Sequence, residues 1–136
     1  MLSKELPIGY WIKQADELLT KGINVIHSSF DLDRTEWQVL HSINEKGQIN
    51  KIELTAFIKP FADQDTLNTI IKKFEEAEVL QEKGETLTLT GKGIELHRTC
   101  FERQKVFRQK AMAGVSESQY QETVSTLRKI VENLNG

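Results

Sequence analysis

The sequence predicts a mostly α-helical fold with one small β hairpin, and three observations predict it. Apolar residues recur at three- and four-residue steps along most of the chain, most cleanly at Leu67, Ile70, Ile71, Phe74 and Ala77, which places them on one helix face. Strand-like alternation is confined to Leu80-Gln81-Glu82 and Thr86-Leu87-Thr88-Leu89 around Lys83-Gly84-Glu85, a tight hairpin with a central glycine. Long apolar stripes occupy the two ends of the chain. Three helices followed by such a hairpin make a winged helix-turn-helix, here with long N- and C-terminal dimerisation helices.

The first stripe runs from Ile8 to Ser29 through Trp11, Ile12, Ala15, Leu18, Leu19, Gly22, Ile23 and Ile26. Lys13, Gln14, Asp16, Glu17 and Lys21 fill the opposite face, and Pro7 precedes the helix start. Asp31 to Arg34 breaks the pattern. Thr35-Glu36-Trp37-Gln38 then fits a capping box that opens a second helix, with Trp37, Val39, Leu40 and Ile43 inward and Gly47 at its end. Gln48-Ile49 is long enough only for a strand fragment. Asn50 caps a third helix, Lys51 to Lys59, expected to bury Ile52, Leu54, Phe57 and Ile58 before Pro60 stops it.

The turn Pro60-Phe61-Ala62-Asp63 leads to the central helix, Asp65 to Glu78, with Asp63 as cap and Asp65 favourable to the helix dipole. Its outer face carries amides, hydroxyls and amines, the groups that read base edges in a DNA groove. The residues expected on DNA are Gln64, Thr66, Asn68, Thr69, Lys72 and Lys73, joined by Lys83 of the hairpin. Thr90 caps a helix from Gly91 to about Ala113, with Ile94, His97, Cys100, Phe101, Phe107 and Ala111 along one side. Ser116-Glu117-Ser118-Gln119 is a second capping box. The helix it opens carries Tyr120, Val124, Leu127, Val131 and Leu134 at alternating four- and three-residue steps, a coiled-coil seam.

Residues 1-136 therefore read as one domain. Residues 1-30 and 114-136 form dimerisation helices, 31-90 the winged helix-turn-helix, and 91-113 a linking helix. Trp11, Ile12 and Leu19 face a partner from the first helix, and Tyr120, Val124, Leu127, Val131 and Leu134 from the last. In a lone 136-residue chain these seams would expose more apolar surface than one core can cover.

Composition excludes several functions. The net charge of -2 and pI near 5.9 supply no global pull toward nucleic acid, so any DNA contact is local. From Asp31 to Thr90 there are 7 Lys and Arg against 12 Asp and Glu, a local charge of -5, while Gly91 to Gly136 has 8 against 5, or +3. Phosphate binding is opposed by an acidic reading head. The single Cys100 forms no internal disulfide or cysteine zinc site, and reads as a small buried residue in a reducing, cytoplasmic setting. A redox-sensing thiol is the alternative reading of it. His27, His41 and His97 lie on different helices without partners at ligand spacing, so no metal and no cofactor are expected. Arg98, Arg103, Lys105, Arg108 and Lys110 read as a solvated face. No membrane span, signal peptide, phosphate loop or nucleophile elbow is present, and enzymatic activity is not expected.

The order of these elements resembles the multiple-antibiotic-resistance regulator (MarR) family of bacterial winged-helix transcription factors. The resemblance is carried by Trp37-Gln38-Val39-Leu40, Glu53-Leu54, and Leu67, Ile71 and Phe74, and it covers nearly the whole chain. Leu89-Thr90-Gly91-Lys92-Gly93 matches the Leu-Thr-x-x-Gly signature that closes the family's wing. The resemblance implies a homodimer joined by the first and last helices, binding double-stranded DNA at a pseudo-palindromic operator. It also implies release by a small aromatic ligand in a crevice for which Trp11, Trp37 and Phe101 are the candidate lining. Four features depart from the family pattern, one being a turn between the third helix and the recognition helix that is about two residues longer than usual. The wing is several residues shorter and lacks the Asp-x-Arg element, Thr69 stands where an arginine is common, and Glu78 aligns with the glycine that usually follows the recognition helix. These departures keep a second function class open, a winged-helix scaffold or protein-interaction module with weak or lost DNA binding.

Overall fold

The computed structural model describes residues 6–136. Helix α1 (Ile8–Ser29) leads to α2 (Arg34–Lys46), strand β1 (Gln48–Asn50), α3 (Lys51–Ile58) and α4 (Gln64–Glu76). Strands β2 (Leu80–Lys83) and β3 (Thr86–Leu89) follow, then α5 (Gly91–Ala111) and α6 (Glu117–Asn135). No helix of the described residues is long and apolar enough to cross a membrane.

Local cap chemistry sets most of these boundaries. Asn50, Asp63 and Thr90 accept from the backbone N–H three residues on, and Ser116 and Gln119 close a reciprocal box. The start of α2 departs from the expected box at Thr35. Asp33 is the cap, accepting from Glu36 N–H at 2.8 Å while the Glu36 carboxylate accepts from Asp33 N–H at 2.8 Å. The sequence writes two overlapping boxes, Asp33-x-x-Glu36 and Thr35-x-x-Gln38. The earlier one places two carboxylates at the positive end of the helix dipole and leaves Leu32 packed in the core.

The core lies within the winged helix. Val39, Leu40 and Ile43 of α2, Leu54 and Ile58 of α3, Leu67 and Phe74 of α4, and Ile49 and Leu87 of the strands are almost fully buried. The expected burial of Ile52 and Phe57 is overturned, for they are 79% and 52% exposed. An eight-residue helix presents one face to the core, which Leu54 and Ile58, four apart, already occupy. Ile52 falls on the far side, and Phe57 on a flank, where the Lys46 ammonium stands 6.0 Å from its ring centroid.

The Gln48-Ile49 fragment extends through Asn50 and completes a three-stranded antiparallel sheet of order β1-β3-β2. Ile49 pairs with Leu87, and Lys83 with Thr86, leaving Gly84 and Glu85 as the turn of the wing. Gly84 has φ +63°, which glycine adopts without a Cβ penalty. Lys51 fixes the wing to α3, its N–H donating to the Glu85 carbonyl and its ammonium pairing with Glu82. Glu78 has φ +61°, a left-handed conformation disfavoured for any residue with a Cβ. The Thr90 hydroxyl anchors it by donating to the Glu78 carbonyl at 2.6 Å.

Helix α5 leaves the sheet at Gly93 and runs along α1. A Cβ at Gly22 would fall 2.1 Å from the Phe107 ring, so glycine lets that ring lie directly on α1 where α1 and α5 cross, and a larger residue would push it aside. The C-terminal half of α1 is packed, with His27 buried and Ile26 against the core, while its first half and all of α6 are bare. No residue of α6 is buried, and Ile8, Trp11, Ile12, Leu18 and Leu19 of α1 are exposed.

Candidate nucleic-acid interface

Helix α4 is strongly two-sided. Leu67, Ile70, Ile71 and Phe74 are buried, while Gln64, Thr66, Asn68, Thr69 and Lys72 are exposed on the outer side. The structure thus brings five of the seven expected DNA-contacting residues onto one open surface. Their polar groups are partly engaged. Gln64 Nε2 donates to Asn68 Oδ1 at 2.9 Å, which leaves the Asn68 amide N–H groups and the Gln64 oxygen for a partner. The Thr69 hydroxyl donates to the Asp65 carbonyl at 3.0 Å, so its methyl is the freer group. The Thr66 backbone N–H and hydroxyl both bond Asp63 and hold that carboxyl below the usual carboxylate range. Asp65 and Glu76 stand on the same outer side, and each repels phosphate.

Lys73 is placed differently from the sequence expectation of an open phosphate contact. Its Nζ donates to Glu36 Oε2 at 2.8 Å and to the Asp31 carbonyl at 2.7 Å, with the Asp31 carboxylate 3.8 Å away. Burial works against the charged form, but the Glu36 hydrogen bond and the charges of Glu36, Asp31 and Asp33 outweigh it and hold the ammonium above the ordinary lysine value. Lys83 is exposed at the end of β2, beside the wing turn.

A crevice of about 260 Å3 lies between α1, α2 and α5. Leu19, Ile23 and His27 line it from α1, Arg34, Trp37 and Gln38 from α2, and Gln104 and Arg108 from α5. Of the three aromatic candidates for a ligand crevice, Trp37 lines it; Trp11 lies edge-on to Tyr10 near the exposed start of α1, and Phe101 packs on the far side of the histidines. The sequence reading assigns neither the two arginines nor the two glutamines to a crevice, taking Gln38 for a capping residue and Arg108 for part of a solvated face. Their signal was the i,i+4 spacing of Arg34 with Gln38 and of Gln104 with Arg108, which puts each pair on one helix face.

The three histidines, scattered in sequence, gather around Trp37. Near-parallel rings run from His27 to Trp37 at 5.8 Å between centroids, to His97 at 4.9 Å and to Phe101 at 5.7 Å. His41 Nδ1 and His97 Nε2 are 2.9 Å apart, sharing one proton, and Glu45 lies 3.4 Å from the other nitrogen of His41. Gln104 Nε2 donates to His27 Nε2 at 3.1 Å and to Cys100 Sγ at 3.4 Å, and Arg108 donates to the Gln104 oxygen at 3.3 Å. The thiol of Cys100 is fully buried, and burial pushes its pKa up, which denies it thiolate character. Among the described residues no three His, Cys, Asp or Glu side chains converge as metal ligands. The lysines and arginines of α5 are all exposed, as a solvated face requires; on it Arg98 pairs with Glu95, and Arg103 sits 5.4 Å over the Phe30 ring.

Burial, then the nearby Arg34, lowers the pKa of His27 against the opposing pull of Asp33. Burial, then His41, lowers that of His97 against Glu45. The unfolded chain therefore takes up protons at these sites below about pH 6.5, where the folded chain does not. Stability is fully present above that pH and is expected to fall as pH drops below it, flattening only once the folded-state pKa values are passed. Thermal unfolding between pH 8 and 5 checks this. A flat melting temperature across pH 7 to 5, or an equal slope in His27→Gln/His97→Gln, would contradict it.

The architecture is that of a winged-helix protein, and comparison with solved structures specifies which kind. No family model matches the sequence, and no curated protein matches it. Among solved structures, reduced MarR from Escherichia coli superposes with a TM-score of 0.69 at 16% identity, covering 96% of this chain and 97% of that one. A Mycobacterium tuberculosis MarR-family protein in complex with DNA gives a TM-score of 0.70 at 20% identity, covering 93% and 98%. A Listeria innocua protein of unknown function gives 0.75 at 21% identity, covering 93% and 91%. The chain has the MarR-type winged-helix fold over nearly all of its length.

Proposed function

We propose that the chain is a DNA-binding transcriptional regulator of the MarR type, a homodimer that reads a pseudo-palindromic operator through α4. The observation that carries this reading is the outer face of α4, where Gln64, Asn68, Thr69 and Lys72 stand exposed over a helix whose other side is locked into the core. Gln and Asn amides recognise base edges in the major groove, Thr69 offers a methyl to thymine, and Lys72 offsets phosphate charge. The M. tuberculosis relative of the same fold is seen on DNA, which supports this use of the scaffold. Dimerisation through α1 and α6 fits a 19-residue α6 with no buried residue of its own, since such a helix draws its stability from packing. Two copies of α4 in a symmetric dimer read half-sites about 10 bp, or a small multiple, apart.

The crevice between α1, α2 and α5 is the site for a releasing ligand. Arg34 and Arg108 supply positive charge and Leu19 and Ile23 apolar walls, with Trp37 between its stacked histidines at the back, a combination suited to a small aromatic carboxylate.

The test is a gel shift with the DNA flanking the protein's own gene across a salt series. Binding is expected at low salt with a shallow salt slope. Asn68→Ala should cost about 1 to 3 kcal/mol and relax preference at one base position. A second reading, a winged-helix scaffold that binds protein rather than DNA, is favoured by the -5 charge of residues 31-90. Failure of the parent to shift its flanking DNA at any salt would select it.

A further inference from the structure

The expected contact of Lys73 with phosphate, and the place where the structure puts that lysine, are in conflict. On a helix that reads DNA inside an acidic domain, a cation is valuable, yet this one is held by the protein itself. Glu36 Oε2 and the Asp31 carbonyl accept from its Nζ at 2.8 and 2.7 Å. The carboxylate side of the pair is the buried one, with the Glu36 side chain 13% exposed and that of Lys73 36%. Two of the three ammonium N–H groups are therefore committed to the protein on the side a phosphate cannot reach. Nor can Glu36 follow the lysine outward, because its other oxygen accepts from Asp33 N–H at 2.8 Å and that bond is half of the cap of α2.

We propose that Glu36 is an internal stand-in for a DNA phosphate, withholding Lys73 from the DNA backbone. The proposal rests on the reading of α4 as the DNA-contacting helix. Phosphate contacts add affinity for every sequence alike and base contacts add discrimination. Neutralising Lys73 inside the protein thus removes a sequence-independent cation next to Lys72, and leaves recognition to the amides and methyls of Gln64, Asn68 and Thr69. The anchor lies 37 positions away in sequence, on the helix that also carries Arg34, Trp37 and Gln38 of the crevice.

Glu36→Gln isolates the effect. Glutamine keeps the capping box, since its carbonyl oxygen still accepts from Asp33 N–H, but it no longer holds an ammonium by charge. Binding of the full chain to its flanking duplex, and to an unrelated duplex of equal length, is measured against salt for the parent, Glu36→Gln, Lys73→Ala and the double variant. Glu36→Gln should bind both duplexes on the order of tenfold more tightly at 50 mM salt, and its log K against log salt should steepen by about 0.9 per lysine released. Lys73→Ala alone should leave the parent slope unchanged, and in the double variant the added slope should vanish. In the parent, the Lys73 ammonium resonance should stay protected from solvent exchange with and without DNA, a readout that needs no variant to fold. An unchanged slope in Glu36→Gln, a flatter slope in Lys73→Ala, or loss of ammonium protection on binding DNA would each overturn the proposal. Failure of every variant to bind either duplex would sink the DNA reading itself, and this proposal with it.

Discussion

Replacing Leu127 and Val131 of α6 together by Asp is expected to leave the chain monomeric or unfolded at micromolar concentration. In the single chain Tyr120, Val124, Val131 and Leu134 are exposed, and Leu127 is only half-buried. They recur at four- and three-residue steps along one side of α6, so a second copy can cover the whole stripe at once. The exposed Trp11, Ile12 and Leu19 of α1 extend the apolar surface at the other end of the chain. An aspartate buried there without a partner costs several kcal/mol, and each 1.4 kcal/mol is about a tenfold change in dissociation constant. Two such changes per protomer, doubled by symmetry, exceed the affinity of a typical homodimer. Sedimentation equilibrium of the parent and the variant decides the matter. A monomeric parent at micromolar concentration would refute the dimer, and a dimeric double variant would place the interface elsewhere.

Gly93→Ala is expected to lose about 1 to 3 kcal/mol of stability by overpacking, and more if the neighbouring hydrogen bond breaks. A Cβ at Gly93 would lie 2.1 Å from the Val79 carbonyl oxygen. That oxygen accepts from Thr90 N–H at 3.0 Å, and Thr90 is both the cap of α5 and the anchor of Glu78. The atom in the way is backbone, so the junction between β2 and α5 must move as a unit. For a chain of this size the loss corresponds to a melting temperature lower by roughly 3 to 10 °C. Gly91→Ala is the control, two residues earlier on the same helix with nothing within 4 Å of its added Cβ. Equal melting temperatures for the two variants would show that the close approach carries no energetic weight.

The caps show how far local chemistry reaches. Asn50, Asp63, Thr90 and Ser116 are legible because a cap and the backbone N–H that donates to it lie three residues apart, within one turn of backbone. Asp33 was missed because two overlapping boxes satisfied the same rule, and the packing of Leu32 and the dipole decided between them. Ile52 and Phe57 were misplaced for a related reason: a helix of eight residues is too short for its period to reveal which side faces the core. Of the candidate site, the outer face of α4 was legible, since it is the complement of the buried stripe. The role of Lys73 was not, because Glu36 and Asp31 lie 37 and 42 positions away.

By itself the sequence determined whatever depends on neighbours within about a turn: which segments are helical, where they start, which face of α4 is polar, and where the hairpin turns. Only the tertiary structure decided that Gln48 to Asn50 joins the wing sheet, that His27, His41 and His97 meet around Trp37, and that Arg34 and Arg108 face one crevice. Periodicity fixes the direction in which a side chain leaves its own helix. Its partner is set by how the helices cross, and that depends on the whole packed core, on close approaches such as Gly22 to Phe107 and Gly93 to Val79, rather than on any short stretch of chain.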